Sequence, residues 1–399
     1  MVKRARFWLA TTTLALACAS GACVVVLGMD PLSEKTAGGG TLDADAPDSD
    51  GALPGACEVD NIGEIGRPPF TAPTQGDGGA VHFAMTLLDL GIDPNAPRPG
   101  LNIDRRVTTD EATSGCLPTD GGARNIVDSH GGVDNTTFGL VQQLSTLYAA
   151  FKPETINQRL TLGYFGVVVR VDGWNGAPND EDVVVLVFPT IGYWRTLPDG
   201  GTAWERHVGV PFDADAGHVW MPDARFREGT IGSKIRSAEG WVNEGRLVAR
   251  FDRFTLPLRS SVDELKSFDI ELRDVWLTAR IAADSGQLLE GNLAGRVPAG
   301  AFIEQVAFLR TGQSAHLCGA ALLGAADLCA ARDVRSSYCD DGKGLACDAL
   351  SFGARFEAER ADGLGPFRAR TDDEFLDAGQ VPPSERCPEL RDAAALDCR

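Results

Sequence analysis

The longest alternating stretch in the chain runs over residues 268–281. Phe268, Ile270 and Leu272 fall on one face; after an odd step at Arg273 and Asp274, Val275, Leu277, Ala279 and Ile281 resume it. A period of two fits an extended strand with one buried face, and a one-residue phase change within it is what a β-bulge produces. The same period recurs at Phe83, Met85 and Leu87, at Leu247, Ala249 and Phe251, at Leu289, Gly291, Leu293 and Gly295, and at Phe352, Ala354 and Phe356. Residues 167–171 and 183–188 are β-branched runs of the kind that fill strands. Helical spacing is rarer: Leu140, Leu144, Leu147 and Phe151 in residues 138–151, Phe302, Val306 and Leu309 in residues 298–309, and a cysteine-rich stretch over 317–332. The pattern predicts a mainly β fold, a twisted antiparallel sandwich or half-barrel with a few helices and a disulfide-stapled helical insert at 298–347.

Charge narrows the partners. With 37 Lys and Arg against 56 Asp and Glu the chain carries −19. Polyanionic nucleic acid is repelled by such a surface and is excluded as a partner.

The N-terminus reads as an export signal. Lys3, Arg4 and Arg6 precede an apolar run that ends in small residues around Cys18 and Cys23. Small residues before Cys23, and alternatively before Cys18, suggest lipid attachment after cleavage of residues 1–22; an uncleaved anchor and free secretion are the other routes. Cleavage before Cys23 leaves eight cysteines, an even set: Cys57, Cys116, Cys318, Cys329, Cys339, Cys347, Cys387 and Cys398. An even set can pair fully in an oxidising compartment. Clustering suggests two bridges among Cys318, Cys329, Cys339 and Cys347, then Cys57 with Cys116 and Cys387 with Cys398. A four-Cys zinc site would need thiolates and usually CxxC pairs, and the sequence has no CxxC. Residues 23–56, rich in Gly, Ala, Asp and Pro and without aromatics, read as a flexible acidic tether. Residues 57–363 form the expected β-rich domain, and 364–399 a poorly ordered tail.

Three segments carry a resemblance: Gly131-Gly132-Val133-Asp134-Asn135-Thr136-Thr137-Phe138-Gly139, Val171-Asp172-Gly173-Trp174-Asn175-Gly176, and Cys347-Asp348-Ala349-Leu350-Ser351-Phe352-Gly353. With the lipoprotein-like start, they resemble a family of exported proteins of GC-rich Gram-negative bacteria over roughly residues 81–358. The resemblance implies an order of elements and an envelope location: outer membrane or cell surface through a lipid anchor, or periplasm. It brings no assigned activity and adds no catalytic residue.

The chemistry-bearing candidates are few. Asp128, Asp134 and Asn135 supply oxygens around a Gly turn, as a calcium site would, yet Asx residues before a helix also serve as caps. Asp172, Asn175, Asn179, Asp180, Glu181 and Asp182 form a second acidic loop, either a solvated hairpin tip or a cation collector. Trp174 and Trp220 lie in loop-like contexts where an exposed indole could stack on a sugar; core anchoring is the alternative. HExxH, GxSxG and P-loop patterns are absent. The expected function is a surface, glycan-binding or structural module of the envelope, with a polysaccharide hydrolase using paired acids such as Asp213, Asp215 and Glu228 as the alternative.

Overall fold

The computed structural model describes residues 61–62, 65–69, 78–91, 97–110, 113–118, 127–129, 131–147, 152–196, 204–207, 218–258, 268–308, 310–311, 315–316, 328–369 and 398. The chain divides into two units, residues 1–57 and 58–399, and every described residue belongs to the second. The signal, Cys18, Cys23, the tether and Cys57 therefore lie outside the described residues.

The principal strands are β1 (Gly78–Asp89), β2 (Gly166–Gly173), β3 (Val184–Thr196), β4 (His218–Pro222), β5 (Ile235–Arg236), β6 (Glu239–Asn243), β7 (Arg246–Leu258), β8 (Phe268–Ile281), β9 (Gln287–Pro298) and β10 (Ala349–Ala361). They form one antiparallel sheet in the order β5-β3-β2-β1-β10-β9-β8-β7-β6, with β4 and Trp204–His207 also paired on β3. The ladder is open. Its two end strands are nevertheless neighbours in sequence, and Ser237 N donates to Val185 O while Val183 N donates to Gly240 O. Residues 235–243 thus bring the two ends of a strongly curved sheet together, the half-barrel expected from the pattern.

Alternation decides which side chains fill the concave side. Phe83 and Met85 of β1, Val167, Val169 and Val171 of β2, Leu247, Ala249 and Phe251 of β7, and Leu350, Phe352 and Phe356 of β10 meet in one buried cluster. The phase change in β8 is resolved as expected. The β8–β9 register slips between Arg273 and Trp276, with Asp274 at φ 43°, so Ile270 and Leu272 and then Val275 and Leu277 all face the same core.

Helices close the concave side. α1 (Thr137–Leu147) buries Phe138 and Val141; α2 (Pro153–Thr161) starts on proline and buries Ile156 and Leu160, with Asn157 accepting from Leu88 N; α3 (Ala299–Phe308) follows β9 directly and buries Phe302 and Ile303. α2 is short, shows its apolar face through Ile156 and Leu160 alone, and is not among the expected helices. Of the helical stretch expected at 317–332, only 328–332 is described, where Leu328–Ala330 form a helical turn.

The expected cysteine pairing is corrected. Cys116 is bonded to Cys347 and Cys329 to Cys398, each with Cα atoms 5.2 Å apart, and Cys339 is disulfide-bonded as well. The staples therefore leave the insert and tie it to a distant loop and to the C-terminus. This rules out Cys57 with Cys116, Cys387 with Cys398, two internal bridges, and a four-thiolate zinc site. Chain proximity misleads here because residues 113–118 run beside 342–347 through an isolated parallel bridge, Leu117 with Ala346, outside the main sheet. Cys318 and Cys387 lie outside the described residues. Of the expected tail only residues 364–369 and 398 are described: Gly365 N donates to Trp220 O and Arg368 N to Pro222 O, while Cys398 is bonded to Cys329.

Candidate functional site

The convex side of β9 and β10 is where the described polar chemistry gathers. Outward-facing residues there are small or polar: Ala294 and Arg296 on β9, and Ala349, Ser351 and Gly353 on β10. Ala294, Arg296, Ala349 and Ser351 are fully buried. Small side chains allow backbone to lie directly on the sheet. A Cβ on Gly353 would sit 2.3 Å from Pro99 O, so the segment leading into residue 101 crosses at that glycine.

The described parts of two stretches of chain form this cover, residues 97–110, 113–118, 127–129 and 131–135 of the first and 328–348 of the second. They hold each other: Leu117 N donates to Leu345 O, Cys347 N to Leu117 O and Gly342 N to Gly115 O, beside the Cys116–Cys347 bond. The first stretch turns back at Gly131 and Gly132, both at φ 78°, a conformation that only glycine adopts without strain. The turn returns Asp134 to a bridge with Leu101.

At the centre stands Arg296, with no exposed surface. Its guanidinium donates twice to Asp341, and to the carbonyls of Arg335 and Ile103 at 2.7 and 2.8 Å. Four more carboxyls surround it. Asp134 Oδ2 accepts from Ile103 N at 2.7 Å and Asp104 N at 3.3 Å; Asp104 Oδ1 accepts from Arg106 N; Asp128 Oδ2 accepts from Thr108 N; Asp333 accepts from Ser351 N and its hydroxyl. Asp104, Asp134 and Asp333 are 6, 3 and 8 % exposed. The two side-chain hydrogen bonds of the Arg296 guanidinium go to Asp341, while its charge still acts on Asp104 and Asp134. Burial of an uncompensated charge raises a carboxyl's affinity for its proton. Burial, with the charges of Asp341 and Asp128 adding, pushes Asp104 up to about 6. Burial pushes Asp333 to about 6 despite its hydrogen bonds from Ser351 and Thr136. Burial, then Asp104, Asp333 and Asp128, holds Asp134 well above the usual range.

The expected calcium ligands fall in this region, where the carboxyls of Asp128 and Asp134 face each other. Asp128 and Asp134 accept backbone N–H groups, and Asn135 caps α1 through Phe138 N while its amide donates to Pro99 O and Gly353 O. Among the described residues no three His, Cys, Asp or Glu side chains are arranged to hold a metal ion. The capping alternative accounts for Asn135. In the second acidic loop Asp180 accepts from Asn175 N and Asp182 N, Asn175 from Ala177 N, and Asp172 pairs with Arg170, so those groups organise the loop.

Trp174 and Trp220 are corrected from stacking platforms to anchors. Trp174 is 7 % exposed and donates to Ala177 O; Trp220 is 2 % exposed and packs edge-on against Tyr193. Neither offers an indole face to a sugar. Of the acids named for a hydrolase, Glu228 is an exposed residue of a short hairpin, and Asp213 and Asp215 lie outside the described residues.

Arg296, Asp104, Asp333 and Ser351 were not singled out from sequence. The one available signal was an arginine in phase with the outward positions of a strand whose outward neighbours are small, a sign that backbone covers that face. Comparison with known proteins finds no matching family model, no matching curated protein and no matching solved structure.

Proposed function

We propose that the chain is an exported protein of the bacterial envelope, held to a membrane by lipid on Cys23, with Cys18 as the alternative, whose folded part works as a structural or surface-binding module. The observation that carries this reading is the pairing of Cys116 with Cys347 and of Cys329 with Cys398, bonds that close 231 and 69 residues of chain. Such long-range structural disulfides belong to oxidising compartments and are rare where thiols are kept reduced. The basic, apolar and small-residue order of residues 1–22 agrees with the same destination. The bound component is an envelope protein or a glycan, taken up by a surface other than the Trp174 and Trp220 rings.

The test is incorporation of a labelled fatty acid by the full chain and by its Cys23→Ser and Cys18→Ser variants in a Gram-negative host, with fractionation of the cells. The expected result is label and membrane association in the parent chain and their loss in Cys23→Ser. Label that survives both substitutions, or a chain recovered reduced in the cytoplasm, would contradict the reading.

A further inference from the structure

We propose that Asn175 is a self-modifying site: its side-chain amide is lost to attack by the backbone nitrogen of Gly176, and the aspartate and isoaspartate that replace it loosen the seam where the two ends of the sheet meet. This inference is independent of export and lipid attachment. The sequence holds one Asn-Gly pair, and it falls in the loop between β2 and β3. Both residues are exposed, whereas Trp174 before them is buried and its indole donates to Ala177 O at 2.9 Å. The turn is thereby pinned on either side of the pair. Gly176 stands at φ 80°, and a Cβ built on it would meet nothing within 4 Å, so water has an open approach to the reacting groups.

Two hydrogen bonds set the geometry. Ala177 N donates to Asn175 Oδ1 at 2.7 Å, and Asn175 N donates to Asp180 Oδ2 at 2.9 Å. Oδ1 is the oxygen that gathers negative charge when a nucleophile adds to Cγ, so a backbone N–H already directed at it stabilises the tetrahedral intermediate. The ring closed by that bond spans the Gly176 peptide, and holding a nucleophile beside its electrophile removes much of the cost of their meeting. Water is the one co-reactant. Gly176 N gives its proton to water and bonds to Asn175 Cγ; the Cγ–Nδ2 bond breaks, and Nδ2 takes up a proton and leaves as ammonia. Water then opens the five-membered imide at one of its two carbonyls, with no oxidation or reduction. Opening at Cγ gives aspartate; opening at the main-chain carbonyl gives isoaspartate, whose backbone runs through the former side chain. Either product sets a new negative charge close to Asp180, and isoaspartate also lengthens the turn. The same loop carries the seam. Asp180 and Val242 exchange backbone hydrogen bonds at 2.9 and 2.7 Å, Gly245 N donates to Pro178 O at 2.8 Å, and Glu244 N donates to Asn179 Oδ1 at 2.8 Å. These bonds extend the contact between β3 and β6 that brings the sheet ends together.

The test is incubation of the oxidised full chain at 37 °C and pH 8, with a synthetic peptide of residues 171–182 as the unfolded reference. Peptide mapping reads the mass gain of an amide-to-acid change, electron-transfer fragmentation tells isoaspartate from aspartate, and hydrogen exchange follows the seam. The expected result is conversion at Asn175 ahead of every other asparagine, with isoaspartate among the products, at a rate within about ten-fold of the peptide's or above it. As conversion proceeds, exchange of the Asp180, Val242 and Gly245 amides should speed up by about ten-fold or more. In Asn175→Ser, which keeps an acceptor for Ala177 N but has no amide to lose, neither change should develop with time. Conversion slower than the peptide's by more than about ten-fold would mean that the turn shields Asn175, and overturns the proposal whether or not the variant folds. So does conversion that leaves exchange of the three amides as it was, or a loosening that develops equally in Asn175→Ser.

Discussion

The two faces of β9 and β10 are both buried, but by different mixtures of contacts. Toward the concave side Leu293, Val297, Leu350, Phe352 and Phe356 interlock in an apolar core that no proton can alter. Toward the convex side Arg296 and Ser351 are equally inaccessible, but there the cover brings carboxyls, carbonyls and a guanidinium beside a small apolar cluster of Ile103, Ala294, Val334 and Ala349. Apolar burial holds over the whole pH range, whereas buried carboxyls hold only while their protons or partners stay. A strand with two buried faces can therefore carry one face that is permanent and one that depends on conditions.

The largest expected effects come from striking each face at its centre. Phe352→Ala should cost about 3–5 kcal/mol through the cavity it leaves, equally at pH 5 and pH 8. Arg296→Met should cost about 3–5 kcal/mol near neutral pH by stranding Asp341, and distinctly less at pH 4–5, where Asp341 can accept a proton. Denaturant titrations at both pH values separate the two; a cost for Arg296→Met that does not vary with pH would erase the contrast.

Removing the tie between the cover stretches comes next. The paired change Cys116→Ser with Cys347→Ser should lower stability by about 2–5 kcal/mol and increase proteolytic nicking within 97–135 and 328–348 before any cut in β7 or β8. Nicking that begins in the sheet would place the weak point elsewhere.

Smaller still is the cap. Asn135→Ala removes the acceptor of Phe138 N and the donor to Pro99 O and Gly353 O, and should cost about 1–3 kcal/mol. At the bottom of the scale, Ile231→Ser, on an exposed hairpin, should change the melting temperature by less than about 2 °C, the shift of a substitution within about 0.5 kcal/mol.

The concave face was legible in the sequence because alternation reports directly which side of a strand is apolar. The slip at Arg273 and Asp274 even located the bulge of β8. The convex face was not legible, since its cover is irregular chain whose partners lie up to about two hundred residues away, as the 231-residue span of Cys116–Cys347 illustrates. Local rules paired cysteines by proximity and read Asp134 and Asn135 as possible ion ligands; the sheet supplied other partners. Trp174 and Trp220 misled for a related reason, because neighbouring Gly, Asn and Pro mark a loop without saying whether its large side chain folds inward.

The central claim is that the convex face of this sheet is buried under a polar cover rich in carboxyls around Arg296, and its most direct measurement is the free energy of unfolding of the oxidised full chain from pH 4 to pH 8. Burial raises the carboxyls of Asp104 and Asp333 to about 6, above that of a free aspartate, so each favours the folded state most when protonated. Their contribution is complete below about pH 4 and is lost as pH rises through 6, so stability should fall across pH 4–7 and level off above it. In Asp104→Asn the fall should be smaller. A profile that instead rises from pH 4 to pH 7, as it does when native carboxylates are held ionised by partners, would contradict the account.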